Sequence, residues 1–120
     1  MSNEIETRFK RDYGVQYPIA LASMAFVGTA PNLAIAMCKA GGVGSLAVGP
    51  LPAEAVSGLI KAVKAATDAS LNVNFITILA NEAQIRACID ESVSIVSFHW
   101  GPHDPRTRER VLRPTLGSDG

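Results

Sequence analysis

An excess of charge of either sign is missing from this sequence, and cysteine is scarce in it. Lysine plus arginine number 11, matched by 11 aspartates and glutamates, so no whole-molecule field draws the chain to nucleic acid or to an anionic membrane. The two cysteines, Cys38 and Cys88, stand far apart in apolar, helix-like segments, without the close Cys/His spacing of a zinc site. We read them as buried reduced thiols and expect no metal. Long hydrophobic runs are absent as well: no stretch approaches the roughly 18 unbroken apolar residues of a spanning helix. The charged segment 1–13 lacks the apolar core and small-residue cleavage site of a secretory leader. These absences place the chain in the cytoplasm, without a membrane partner.

What remains is the composition of one soluble globular domain, with 48% apolar residues available for a core. Short apolar runs recur at 17–22, 43–48, 71–76 and 93–98. They are nearly continuous rather than strictly alternating, the pattern of parallel strands covered on both faces. Between them the sequence predicts helices. Residues 31–40 open on a proline and stop at Gly41-Gly42, with Leu33, Ala34, Met37 and Cys38 on one face. A second helix is expected over 52–67, with Leu59, Ile60 and Val63 inward and Lys61 and Lys64 outward. A third is expected over 81–90, with Ile85, Cys88 and Ile89 on one side. Alternation of this kind gives a parallel α/β sheet, either doubly wound or part of a closed barrel. The glycines Gly41, Gly42 and Gly44 follow a helix and precede a strand, the reverse of a phosphate-binding fingerprint, and so read as a turn.

After Gly101 the chain changes character. Prolines 102, 105 and 114 and arginines 106, 108, 110 and 113 crowd a stretch with almost nothing apolar. We divide the sequence into a unit over 1–101 and a divergent Arg/Pro-rich tail over 102–120. The tail reads as a solvated or frayed helix rather than an arginine-rich binding site, and His103 within it receives no role.

Four stretches together resemble the nitronate monooxygenase family, formerly called 2-nitropropane dioxygenases. They are YPIALASM, with Pro18, Ile19 and Met24; AGGVGSLAVG over 40–49; NVNF, with Asn74; and VSFHWG over 96–101. Each is weak alone, and their order and spacing together are specific. The resemblance implies the N-terminal half of a TIM-type (β/α)8 barrel, selecting the closed barrel over the doubly wound sheet. Four strands are about half of the eight that such a fold needs.

The resemblance also implies FMN as cofactor. Function on a barrel gathers at the C-terminal ends of strands, where we place Met24, Asn74 and His99. Met24 either packs against the isoalloxazine ring, with backbone groups from Ala22 onward bonding its polar edge, or fills a gap in the core. Asn74 matches the family asparagine that binds FMN; the alternative is an amide bonding the backbone of the next loop. Asn72 faces the same direction and has no family match. His99 lines the pocket, with Trp100 as a possible wall, or is a structural strand-end histidine. It is not the family's catalytic base, which belongs to a later Gly-Gly-His-Arg-Gly-like motif not found in this sequence. The catalytic residue is therefore left unassigned.

The implied reaction is the oxidation of alkyl nitronates by oxygen, with FMN carrying the redox chemistry. The composition break at 102 reads as a truncated form, weakly active or inactive. Two other readings compete: a non-catalytic half-barrel completed as a homodimer, and an α/β module binding a small ligand at the sheet edge.

Overall fold

The computed structural model describes residues 5–24 and 30–101. The tail expected over 102–120 therefore lies outside the described residues, as does the stretch immediately after Met24. The described residues form four helices and three strands, which alternate from α2 onward: α1 (Arg8–Tyr13), α2 (Pro31–Ala40), β1 (Gly44–Ala47), α3 (Ala53–Ala66), β2 (Leu71–Ile76), α4 (Glu82–Asp90) and β3 (Ile95–His99). The strands lie in sequential order, β1-β2-β3, all parallel, with Leu46 opposite Val73 and Val73 opposite Val96.

The expected first strand over 17–22 is reduced to one parallel bridge between Ala20 and Val43. The Leu21 N–H donates to the Val43 carbonyl at 2.8 Å and the Val43 N–H to that of Ile19 at 2.9 Å. Regular ladder geometry stops there because the Ile19 N–H turns back to the Tyr17 carbonyl at 2.8 Å. The segment still occupies the place of a strand beside β1. Helix α1 was not expected from the charged N-terminal segment. It is a single six-residue element, capped by Thr7 accepting from the Lys10 N–H and closed by Gly14 at φ 64°.

The other helices form where punctuation and periodicity put them. Helix α2 spans the predicted residues and ends at Gly41, whose φ of 102° belongs to the left-handed region that glycine tolerates. Its buried stripe is Ala34 and Cys38, whereas Leu33, expected inward, is exposed. Helix α3 buries Ile60 and Val63 and turns Lys61 and Lys64 outward, as expected, whereas Leu59 is only half-buried and Val56, not singled out, is fully buried. Helix α4 begins with a capping box: Asn81 accepts from the Gln84 N–H at 3.0 Å, and the Gln84 side chain accepts from the Asn81 N–H at 3.2 Å. Gln84 is itself buried and donates to the carbonyls of Gly49 and Leu51, which ties the α4 entry to the turn after β1.

The hydrophobic core lies between the sheet and one layer of helices. Leu46 and Val48 from the β1 region, Leu71, Val73 and Phe75 from β2, and Val96 and Phe98 from β3 meet the apolar stripes of α2, α3 and α4. Phe75 and Phe98 stack with ring centroids 5.6 Å apart. Gly44 permits the close approach of α2, since a Cβ there would stand 2.5 Å from the Ala34 carbonyl oxygen and 2.7 Å from Cys38 Sγ. Sequential order with helices packed on one face is the wall of a barrel rather than a doubly wound sheet.

Both cysteines are buried and free. Burial raises the Cys38 thiol, partly opposed by its backbone bond with Gly44, and pushes Cys88 up to about 12 from the ordinary 9.0. The thiols are thus held neutral in the fold while the unfolded chain ionises them from about pH 9 upward. The stabilisation is complete below the unfolded value and is lost as pH rises through the window from 9.0 to about 12. We expect denaturation midpoints to be flat from pH 7 to 8.5 and to fall above pH 9, with the fall reduced in Cys88→Ala. An unchanged slope in that variant would exclude Cys88 as its source.

Candidate functional site

Residues alternate across a pleated strand, so the face opposite the helices is read off the register. Ser45 lies opposite Asn72, Ala47 opposite Asn74, Asn74 opposite Ser97, and Ile76 opposite His99. The strands were expected to be nearly uniform apolar runs, yet β2 alternates. Leu71, Val73 and Phe75 enter the core, while Asn72 and Asn74 occupy the other face. In a closed (β/α)8 barrel this face lines the interior, which is ordinarily filled by bulky branched side chains. Here its centre is polar.

The polar side chains are joined to one another. Asn74 Nδ2 donates to Ser97 Oγ at 2.8 Å, Ser97 Oγ donates to Asn72 Oδ1 at 2.9 Å, and Asn72 Nδ2 donates to Ser45 Oγ at 3.2 Å. Asn74 is buried at 8% exposure and Ser45 at 2%, so these bonds satisfy amide and hydroxyl groups withdrawn from water. The Asn74 side chain bonds a neighbouring strand, not the backbone of the following loop. It also sits fourth of six residues in β2, inside the strand and short of the expected C-terminal end.

The C-terminal rim lies one step further along. His99 is the last residue of β3, and its carbonyl accepts from the Thr77 N–H at 2.8 Å and from the Thr77 hydroxyl at 3.0 Å, which joins the turns after β2 and β3. The His99 ring meets Trp100 edge-on at 5.0 Å. Trp100 is exposed and has φ 58°, a left-handed conformation unusual for a bulky side chain, followed by Gly101 at φ 111°. Ala22 and Met24 lie exposed just past the Ala20 bridge, on the C-terminal side of the same sheet. The structure thus sets Ala22, Met24 and His99 towards one edge and Asn74 on the interior face below it. No hydrogen bond among the described residues links the side chains of Asn74 and His99.

Ser97 and Ser45 were not singled out in the sequence. Their signal was the polar alternation of LNVN and the serine within VSFH, masked by the apolar character of both runs. A separate shallow groove of about 500 Å³ lies in the helical layer between α3 and α4, lined by residues of both signs including Lys61, Arg86 and Glu91. Glu91 there is engaged by Lys61 at 3.5 Å and by the Ser57 hydroxyl at 3.1 Å. No group of three or more His, Cys, Asp or Glu side chains suited to a metal occurs among the described residues, and none of their helices is long and apolar enough to cross a membrane.

A parallel β/α barrel wall with a polar interior row defines the class. The nitronate monooxygenase family model matches residues 7–112, and the chain belongs to that family. A nitronate monooxygenase from Paraburkholderia phytofirmans is 30% identical over an alignment of 127 residues, covering 73% of this chain and 34% of the relative. One from Pseudomonas aeruginosa is 46% identical over 67 residues, covering 56% of this chain and 19% of that protein. The chain therefore spans about a third or less of the length of these relatives. Among solved structures, FabK from Thermotoga maritima superposes with a TM-score of 0.77 at 29% identity, over 91% of this chain and 34% of its own. Nitroalkane oxidase from Streptomyces ansochromogenes superposes at 0.76 with 24% identity, over 90% of this chain and 40% of its own, a likeness of fold.

Proposed function

We propose that this chain carries the ring-facing side of an FMN site for the oxidation of alkyl nitronates by oxygen. The observation that supports it most is Asn74: an amide buried on the interior face, tied through its nitrogen, with its oxygen taking no hydrogen bond among the described residues. A flavin ring edge alternates N–H and carbonyl groups, which an amide complements. FMN, when bound, would supply the redox chemistry. The protein's part on this side is placement. Asn74 bonds the ring edge, Met24 and the backbone from Ala22 lie against the ring, and His99 with Trp100 lines the entrance. In this reading residues 1–101 form the barrel unit and 102–120 a divergent tail.

Riboflavin, which has the ring without the phosphate, isolates this half of the site. Its titration should give saturable binding to the chain that weakens about tenfold in Asn74→Ala, the loss expected for one hydrogen bond to a desolvated partner. Equal binding by the variant would refute the assignment of Asn74.

A half-barrel completed by a second copy is the competing reading. It is favoured by apolar side chains left exposed on the segment beside β1, Tyr17 and Ile19, and in the turns after β2 and β3, Leu79 and Trp100. A colourless dimer that takes up no riboflavin would favour it.

A further inference from the structure

The family resemblance assigns Asn74 and leaves Ser97 without a role, although Ser97 is the side chain that holds Asn74 in place. We propose that Ser97 is a positioning residue: its hydroxyl, with its proton committed to Asn72, turns the Asn74 amide so that Oδ1 is presented to a ring N–H of the ligand. The inference rests on the flavin reading above for the identity of that ligand.

A serine hydroxyl has one proton and two lone pairs. Ser97 Oγ gives its proton to Asn72 Oδ1 at 2.9 Å, so towards Asn74 it has only lone pairs, and the Asn74 group it meets at 2.8 Å is the amide nitrogen. The same sense of donation runs on along the row. Asn72 meets Ser97 through its oxygen, with its nitrogen directed at Ser45 Oγ, 3.2 Å away. Turning Asn74 over by itself would set its carbonyl oxygen against lone pairs. Reversing the whole row would require both amides and both hydroxyls to turn together.

The consequence is a fixed acceptor. Asn74 is 8% exposed, and its Oδ1 has no partner among the described residues. No side-chain nitrogen or oxygen among those residues is both sealed and unpaired, so this oxygen is not completely closed off. The residues opposite Asn74 in register, Ala47 and Ser97, are both small. An amide free to rotate would offer donor and acceptor in turn, and a ligand would have to select one. An amide already turned is pre-organised for an N–H donor.

The test reads the Asn74 side-chain amide in the 15N-labelled chain, with riboflavin as probe. In the wild type its two protons should be protected from solvent exchange, and the pair should shift as riboflavin is added. Ser97→Ala should accelerate exchange of the Asn74 amide and weaken riboflavin about tenfold, whereas Ser97→Thr, which keeps the hydroxyl, should retain both. Unchanged Asn74 exchange in a folded Ser97→Ala chain would overturn the proposal whatever riboflavin does. A wild-type Asn74 amide that is protected but blind to riboflavin would instead overturn the flavin reading, and with it the ligand named here. Should Ser97→Ala lose its backbone spectrum, Asn72→Ala decides: release of the Ser97 proton should loosen the Asn74 amide, and an amide as protected as before would overturn the proposal.

Discussion

Phe75→Ala should remove the cooperative unfolding transition of this protein or lower its midpoint by more than about 10 °C. Phe75 is fully buried towards the C-terminal end of the middle strand, stacked on Phe98 and part of the core cluster that includes residues of α3 and α4. Truncating a core phenylalanine costs about 3–5 kcal/mol, from lost transfer energy and from the cavity left behind. A small domain commonly has about 5–15 kcal/mol in all. The cost falls on an element that links both neighbouring strands, so there is no second ladder to take the load. Leu79→Ala, at an exposed position, serves as the control and should change stability by less than about 0.5 kcal/mol. Thermal melts followed by circular dichroism would decide, and a shift in Phe75→Ala no larger than in the control would show that the core does not centre on this ring.

The second large effect expected is on catalysis. The chain tested by itself should oxidise no propyl-2-nitronate above background, and should bind FMN no more tightly than riboflavin. The residues we assign face the ring, and none is assigned to the phosphate, which carries the charge that helix N-termini or glycine loops recognise. Nor is there an assigned base, a group that typically contributes about 10² to 10⁴-fold in rate. His99 sits at the rim, but the motif that resemblance gives to the base is not found in this sequence. An oxygen electrode and parallel titrations of FMN and riboflavin would test both statements. Sub-micromolar FMN binding with turnover would show that His99 or the 102–120 segment supplies what we have left unassigned.

Much of the architecture could be read from local chemistry. Helix α2 and strand β2 appear with the bounds expected of them, because Pro31 and Gly41 punctuate the first and polar residues bound the second. The 17–22 run misled in part. Its composition is that of a strand, but strand pairing is decided by backbone donors, and the Ile19–Tyr17 turn breaks the ladder to a single bridge. Helix α1 was illegible for the opposite reason: it has too few apolar positions to show a period, and a threonine cap and a left-handed glycine define it instead. At the site, Asn74 was visible because an amide in an apolar run demands a partner. That the partner is Ser97 follows from register, and register is a long-range property that one strand's sequence does not contain.

The conformation around Trp100 has a practical corollary. This is the only tryptophan in the sequence, and at 72% exposure beside the His99 ring it is an optical label at one known place. All indole emission from the protein originates at the mouth of the sheet and none from its core. Unfolding moves this ring from one watery setting to another and should leave its colour nearly unchanged. Anything that settles over the rim will dim or blue-shift it without any label having been added.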